Sequence, residues 1–278
     1  MKREKLRKKI ITIIIYGILS LIMIFYLAPF LWMLLSSFQL QQNLTKIPPE
    51  INFRTWQYNY GVLLKSEKFL LSLRNTIIVS TVTTLLTLLF SGMGAYVLAR
   101  FKFKGKALIM FSNYSIQMGP AVAFLIPLFL IMRSIRLIDT LLGFILSLLV
   151  FTLPVSMWIL LGFFKSIPKE MEEAGYIDGC KRLGVLLKII LPMSRSGIIS
   201  AGIVTFISVW GELLISLPIT ITKSIPLTVF ASSFSGIYFT DYGGASASAV
   251  LSSIPTVIMT IVFRNYLIKG LLEGAIKG

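Results

Sequence analysis

The sequence predicts an all-α integral membrane protein with six transmembrane helices, both termini cytoplasmic, and a charged helical excursion between the fourth and fifth spans. Three observations carry that reading. First, 56% of the 278 residues are hydrophobic and only 14% are charged, with a mean hydropathy of +0.85; soluble domains carry about 45–50% and about 25%. Second, six long apolar windows alternate with charged segments, each long enough for the roughly 20 residues that cross about 30 Å of hydrocarbon. Third, the positive charge falls unequally on alternate segments.

The first window, Ile10 to Phe38, follows the basic stretch ending at Lys9. It is longer than the about 7–15 residues of a signal-peptide core and runs on through Phe30, Leu31 and Trp32, so it reads as a retained span. The second lies between Arg74 and Arg100, the third between Lys106 and Arg133, and the fourth between Asp139 and Lys165. The fifth, Ser196 to Thr222, is broken only by Glu212, and the sixth lies between Asp241 and Arg264. Pro120, Pro127, Pro154 and Pro255 fall inside windows and predict kinks or breaks. Gly92, Gly94, Ala95, Gly197, Ala201 and the run Ala245–Ala249 supply the small residues that helix association in lipid requires.

With alternate loops assigned to opposite sides, 19 of the 27 Lys and Arg residues fall on the side that holds both termini. Basic loops stay in the cytoplasm, which sets the orientation and accounts for the net charge of +16. No basic groove interleaved with aromatics accompanies that charge, so nucleic acid is not implied. With no histidine there is no imidazole acid–base chemistry, and Cys180 alone permits neither an intrachain disulfide nor a Cys/His zinc site. An intramembrane enzyme would need acidic clusters or histidines at its spans, and a proton- or sodium-coupled carrier a chain of ionisable groups; Glu212 is the only acid within a window. The Gly-x-x-x-x-Gly-Lys-Ser/Thr phosphate loop is absent as well, so if ATP drives this protein, another chain hydrolyses it.

The segment from Lys165 to Arg195 does not belong to the membrane. It holds ten of the 38 charged residues in 31 positions. Pro168 suits a helix start, and Glu170, Glu172 and Glu173 complement the positive end of its dipole. Asp178-Gly179 supplies a turn, Lys181 to Leu191 alternates basic and aliphatic residues as an interfacial helix would, and Pro192 precedes the fifth span. Met171, Tyr176, Ile177 and Cys180 crowd this excursion with apolar surface that a merely solvated linker would lack, which favours a docking knob for a soluble partner.

Glu173-Ala174-Gly175, then Asp178-Gly179, then Leu191-Pro192 resembles the EAA motif of ABC importer permeases, with Gly175 in place of the usual second alanine. Asn75-Thr76, Trp210-Gly211-Glu212 and the ending Lys269-Gly270 with Gly274-Ala275-Ile276-Lys277-Gly278 are similar to the maltose-type carbohydrate subfamily. The resemblance implies a MetI-like permease bundle in a bacterial or archaeal cell membrane, importing a sugar or oligosaccharide by alternating access; a polyamine or glycerol phosphate importer of the same architecture is the alternative. It implies a non-catalytic subunit with no bound cofactor, ATP and Mg residing on two cytoplasmic ATPase subunits. A second homologous permease and an extracytoplasmic solute-binding protein complete the implied assembly.

By the same resemblance, Met171, Glu173, Ala174, Gly175, Ile177, Asp178 and Gly179 form the ATPase-coupling loop. Glu173 would pair with a basic group, Ala174 and Gly175 would allow close approach, Gly179 would make the turn, and Asp178 would cap the second short helix. Gly274, Ala275, Lys277 and Gly278 would reach the ATPase interface. The expected organisation is residues 1–70 for the basic N-terminus, first span and outer loop, 71–264 for the permease core with the 165–195 loop, and 265–278 for the tail.

Asn113, Gln117 and Glu212 are candidate pathway or gate residues. Glu212 fits a water-filled path, a bond to the partner permease, or an exposed helix end; Asn113, Tyr114, Gln117 and Met118 fit either a hydroxylated solute or helix–helix bonding beside Gly119-Pro120. Trp56, Tyr58 and Tyr60 of the outer loop suit a binding-protein contact or an interfacial aromatic belt.

Overall fold

In lipid every backbone N–H and C=O must find a partner within the protein, so a long apolar segment has little alternative to a helix. The computed structural model describes residues 2–48, 50–52, 55–236 and 240–275. Among these the chain is almost wholly helical, with one isolated bridge between Ser235 and Thr240. The helices are α1 (Lys2–Ser37), α2 (Gln41–Leu44), α3 (Trp56–Lys65), α4 (Glu67–Arg100), α5 (Lys106–Met118), α6 (Ala121–Ser134), α7 (Leu141–Ser166) and α8 (Glu170–Ile177). There follow α9 (Arg182–Val185), which runs through a π-turn (Leu186–Ile190) into α10 (Leu191–Met193), then α11 (Arg195–Trp210), α12 (Ser216–Ile219), α13 (Leu227–Ser232) and α14 (Tyr242–Ala275).

Four helical stretches among the described residues are long and apolar enough to cross a membrane: Lys9–Ser37, Glu67–Arg100, Leu141–Ser166 and Tyr242–Tyr266. Two bent pairs bring the number to as many as six. In the third window the chain turns by 106° between α5 and α6. The break falls at Gly119-Pro120, where both residues are extended (ψ 144° and 129°) and proline has no N–H to continue the ladder. Pro127, Pro154 and Pro255 lie within unbroken α6, α7 and α14, so of the four prolines only Pro120 marks an interruption.

The fifth window is corrected more substantially. It was expected to run from Ser196 to Thr222, but α11 stops at Trp210 and the rest forms turns around the four-residue α12. The Glu212 carboxylate accepts the Ile215 N–H at 2.9 Å, giving the backbone a local alternative to the helix. At its other end α11 is preceded by the apolar stretch 182–193, bent from it by 80°.

The chain divides into two compact units. One comprises the residues up to Ser66 and Ala231–Ser252. Here α1 is exposed from Lys9 to Trp32. Asn59 Nδ2 donates to the carbonyls of Ser37 and Gln39, and the Gln41 amide bridges the Thr240 carbonyl and the Tyr242 N–H. The other unit comprises Glu67–Phe230 and the chain from Ser253. Its centre is the packing of α4, α7 and α11. Hydroxyls on α4 pair with those on α7, Thr87 with Thr152 and Ser91 with Ser156, both at 2.8 Å. Gly197 and Ala201 bring α11 close to its neighbours, a Cβ on Gly197 falling 2.9 Å from Phe163 Cβ.

Candidate functional site

The acidic excursion forms a helix–turn–helix whose two faces are sharply divided. The N–H groups of Glu172 and Glu173 bond the Lys169 carbonyl at 2.9 and 3.0 Å, which starts α8 immediately after Pro168. Glu170, Glu172 and Glu173 occupy its first turn, where the dipole favours negative charge. The helix ends in a Schellman closure: Cys180 N–H reaches the Gly175 carbonyl and Gly179 N–H the Tyr176 carbonyl, at 3.0 and 3.1 Å. The residue at the pivot must be left-handed, and Gly179 is, with φ +82°. Asp178 ends α8 rather than capping the next helix; the N-cap position of α9 is Lys181, with no side-chain cap bond.

Glu172 and Gly175 point inward. Glu172 is buried and ion-paired with Arg100, the last residue of α4, and accepts a bond from Tyr96 Oη at 3.4 Å. Arg100 also donates to the Ile167 carbonyl at 3.0 Å, so its guanidinium ties α4 both to the start of the linker that enters α8 and to α8 itself. Breaking such a buried pair by removing one partner costs about 3–5 kcal/mol. Gly175 rests on the following helix: a Cβ there would come within 3.0 Å of Ile189 Cδ1 and 3.5 Å from Val185 Cγ2. The glycine that replaces alanine in the motif thus allows close packing inside this chain.

Glu170, Glu173, Ala174 and Ile177, spaced i, i+3, i+4, i+7, form the opposite face, and all are exposed. Ile177 is 87% exposed and Met171 43%. Met171, Glu173, Ala174, Ile177, Asp178 and Gly179 therefore share an accessible surface, with Gly175 behind it. Arg182 stacks over the Phe101 ring at 5.2 Å, adding a second tie between the knob and the chain beyond α4.

The expected pathway residues are less concentrated. Glu212, placed by sequence inside a span, lies beyond the end of α11 and is half-buried. It borders a small cleft of about 80 Å³ with Phe151, Thr152, Thr205 and Ser208. That is room for a few waters at about 30 Å³ each. Asn113 Nδ2 donates to the Pro154 carbonyl at 3.4 Å, on the same stretch of α7 that lines the cleft. Gln117 is exposed. At the C-terminus, Gly274 and Ala275 are helical in backbone, whereas Lys277 and Gly278 lie outside the described residues.

Two sets of tertiary polar contacts are not singled out by the sequence. The sequence marks Arg100 only as the end of the second window and Glu172 only as one of three acids suited to the helix dipole. Asp139 was read as a span boundary, yet its carboxylate accepts the N–H groups of Ile221, Thr222, Lys223 and Ser224 at 3.0–3.2 Å and two hydroxyls besides. Burial opposes its ionisation, but those backbone donors prevail and hold the carboxyl well below the usual carboxylate range. Asn75, noted only within a resemblance, donates to the carbonyls of Lys223 and Ile225, and Thr76 accepts the Leu227 N–H at 2.8 Å. A polar residue that follows or opens an apolar window was the available signal for both. Among the described residues no cluster of His, Cys, Asp and Glu could hold a metal ion.

A membrane-crossing helical bundle that turns a short acidic helix outward, with its opposite face bolted to the bundle, is the architecture of a transporter's membrane subunit. The chain belongs to the family described as binding-protein-dependent transport system inner membrane component, which matches residues 89–272. It is thus a non-catalytic inner-membrane component of such a system, working with a solute-binding protein. It is 33% identical over 93% of its length, and 92% of the relative's, to the sulfoquinovosyl glycerol transport system permease protein SmoH of Agrobacterium fabrum. It is 32% identical to the trehalose/maltose transport system permease protein MalG of Thermococcus litoralis, over 99% of both chains. Its fold matches a chain of a bacterial ABC transporter that imports the polysaccharide alginate, with a TM-score of 0.76 over 93% of this chain and 96% of that one at 23% identity.

Proposed function

We propose that this chain is the permease subunit of an ATP-driven importer for a sugar or oligosaccharide, and that α8 is the element through which ATPase subunits move it. The observation that carries the reading is the division of α8: Glu173, Ala174 and Ile177 are free on one face while Glu172 and Gly175 anchor the other. A helix held so firmly from behind, with 87% of Ile177 in solvent, suits a cleft on a separate protein. Glu173 meets a basic group there, Ala174 keeps the approach close, and Met171 and Ile177 supply apolar anchors. Asp178 and Gly179 hold the turn beside that contact, and the C-terminal residues Gly274, Ala275, Lys277 and Gly278 add a second ATPase contact. The carbohydrate relatives support the choice of solute.

The assembly comprises a second, homologous permease, two cytoplasmic ATPases carrying ATP and Mg, and an extracytoplasmic binding protein. Residues 71–264 form the moving core between the N-terminal segment and the 265–278 tail. The solute path passes between the two permeases and takes in Asn113, Gln117 and Glu212, whose amide and carboxylate groups answer solute hydroxyls. Uptake by proteoliposomes holding all subunits, across a panel of sugars, a polyamine and glycerol phosphate, tests the reading. A sugar should be taken up at the expense of ATP, and Glu173→Lys should lower that uptake at least tenfold with the protein still inserted. Uptake of the polyamine or glycerol phosphate alone would overturn the sugar assignment, and full uptake by Glu173→Lys would overturn the docking role.

A further inference from the structure

We infer that α4 is a strut that links the docking knob to the segment 221–227 at the far end of the same unit, with Arg100, Glu172, Asn75, Thr76 and Asp139 as its positioning residues. The inference rests on the docking reading and adds a route that chain connectivity does not supply. The knob is covalently continuous with α7 through residues 167–169 and with α11 through the bend at Ser194. It has no such continuity with α4, some seventy positions earlier in the chain. The buried Arg100–Glu172 pair makes that connection, and Tyr96 and the Ile167 carbonyl complete it. A displacement of α8 therefore acts on the end of α4 as directly as on its own flanking helices.

At the other end of α4, Asn75 and Thr76 are buried and take hold of an irregular stretch, 221–226, and of Leu227, the first residue of α13. Asn75 Nδ2 bonds the carbonyls of Lys223 and Ile225 at 2.9 and 3.1 Å, and Thr76 Oγ1 accepts the Leu227 N–H. Asp139 grips the same segment from the loop before α7 through four backbone N–H groups. Most of the grip is on backbone atoms, joined by the Thr222 and Ser224 hydroxyls, so it fixes position while leaving the Ile221 and Lys223 side chains exposed. Asn75 and Arg100 are 25 residues apart on one unbroken helix, about 37 Å at 1.5 Å per residue. Between them α4 is stiffened by Thr87–Thr152 and Ser91–Ser156 and carries no proline. Rigid packed elements transmit displacement where loops would absorb it, and both ends of this one are clamped by buried polar contacts.

The test uses the complete transporter in nanodiscs, with Cys180→Ser removing the single native thiol and Lys223→Cys carrying an environment-sensitive fluorophore. ATP with vanadate, added with the binding protein and solute, should change the emission in this parent. Glu172→Gln at one end and Thr76→Val at the other should each reduce that change at least fivefold while the ATPases still co-purify, and Arg100→Lys, which keeps the charge, should retain at least half of it. Parent-sized responses in both Glu172→Gln and Thr76→Val, with ATPases bound, would overturn the strut alone, as would an Arg100→Lys protein that melts like the parent yet responds no better than Glu172→Gln. Absence of ATPases from the parent preparation would overturn the docking reading beneath it.

Discussion

Replacing Gly175 with leucine should lift α8 off the helix it rests on. Ordinary carbon contacts lie at about 3.5–4.0 Å, whereas a Cβ at this position falls within 3.0 Å of Ile189 Cδ1, so on the order of 1 Å of movement is required. An alanine can be accommodated. Ile189 is only half-buried and meets it with the tip of its side chain, where a rotamer shift costs about 0.5–1.5 kcal/mol. Alanine in place of helical glycine returns about 0.8–1.0 kcal/mol, and the two nearly cancel. Leucine cannot be accommodated in that way, because fully buried Val185 and the Ile189 Cγ1 stand 3.5 and 3.7 Å behind. Overpacking of that kind costs about 1–3 kcal/mol, and it is concentrated at one small contact. Thermal unfolding of the purified assembly, followed by tryptophan fluorescence, and co-purification of the ATPase are the assays. Gly175→Ala should match the parent in both, and Gly175→Leu should melt lower and lose most of its ATPase. A leucine variant with parental melting and full ATPase content would refute the argument.

Two further outcomes follow from other parts of the same unit. The carboxyl of Asp139 is held below its ordinary value of about 3.9, so the stability it lends is complete above about pH 4 and is lost as pH falls towards the lower folded value. The melting difference between the parent and Asp139→Asn should accordingly be constant from pH 5 to 8 and narrow below about pH 4; a difference that already fades at pH 6 would contradict that. Gly197→Val should lower the melting temperature without preventing insertion, since its Cβ would lie 2.5 Å from Phe163 Cδ2 in a buried contact, and Phe163→Leu in the same protein should restore part of the loss.

Much of the fold is written in the spacing of charges. The windows after Lys9, between Arg74 and Arg100, between Asp139 and Lys165, and after Asp241 each became one long helix, because lipid leaves an uncharged 20-residue stretch few choices. The third and fifth windows show where that logic stops. Pro120 announced an interruption, but Pro127, Pro154 and Pro255 gave the same signal and did not break their helices. The stretch 211–226 is largely apolar yet leaves the helix of α11: Glu212 holds the Ile215 N–H locally, and backbone groups within 221–227 are held by Asn75, Thr76 and Asp139, residues 82 to 151 positions away. No local pattern reports partners at such separations. Within the knob, composition identified the acidic helix and its turn but not which acid faces inward. Gly175 held the clue: a close-packing glycine at i+3 from Glu172 places that carboxylate on the buried side and leaves Glu173 on the free one.

The central claim is that the outward face of α8 is received by an ATPase subunit. A photoreactive amino acid at position 177, illuminated in the assembled transporter, measures it most directly, with position 185 on the buried side as the internal control. Ile177 is 87% exposed and Val185 fully enclosed. The expected product is a permease–ATPase adduct from position 177 and none from 185. Adducts from position 177 with lipid alone, in preparations that still contain the ATPase, would contradict the account.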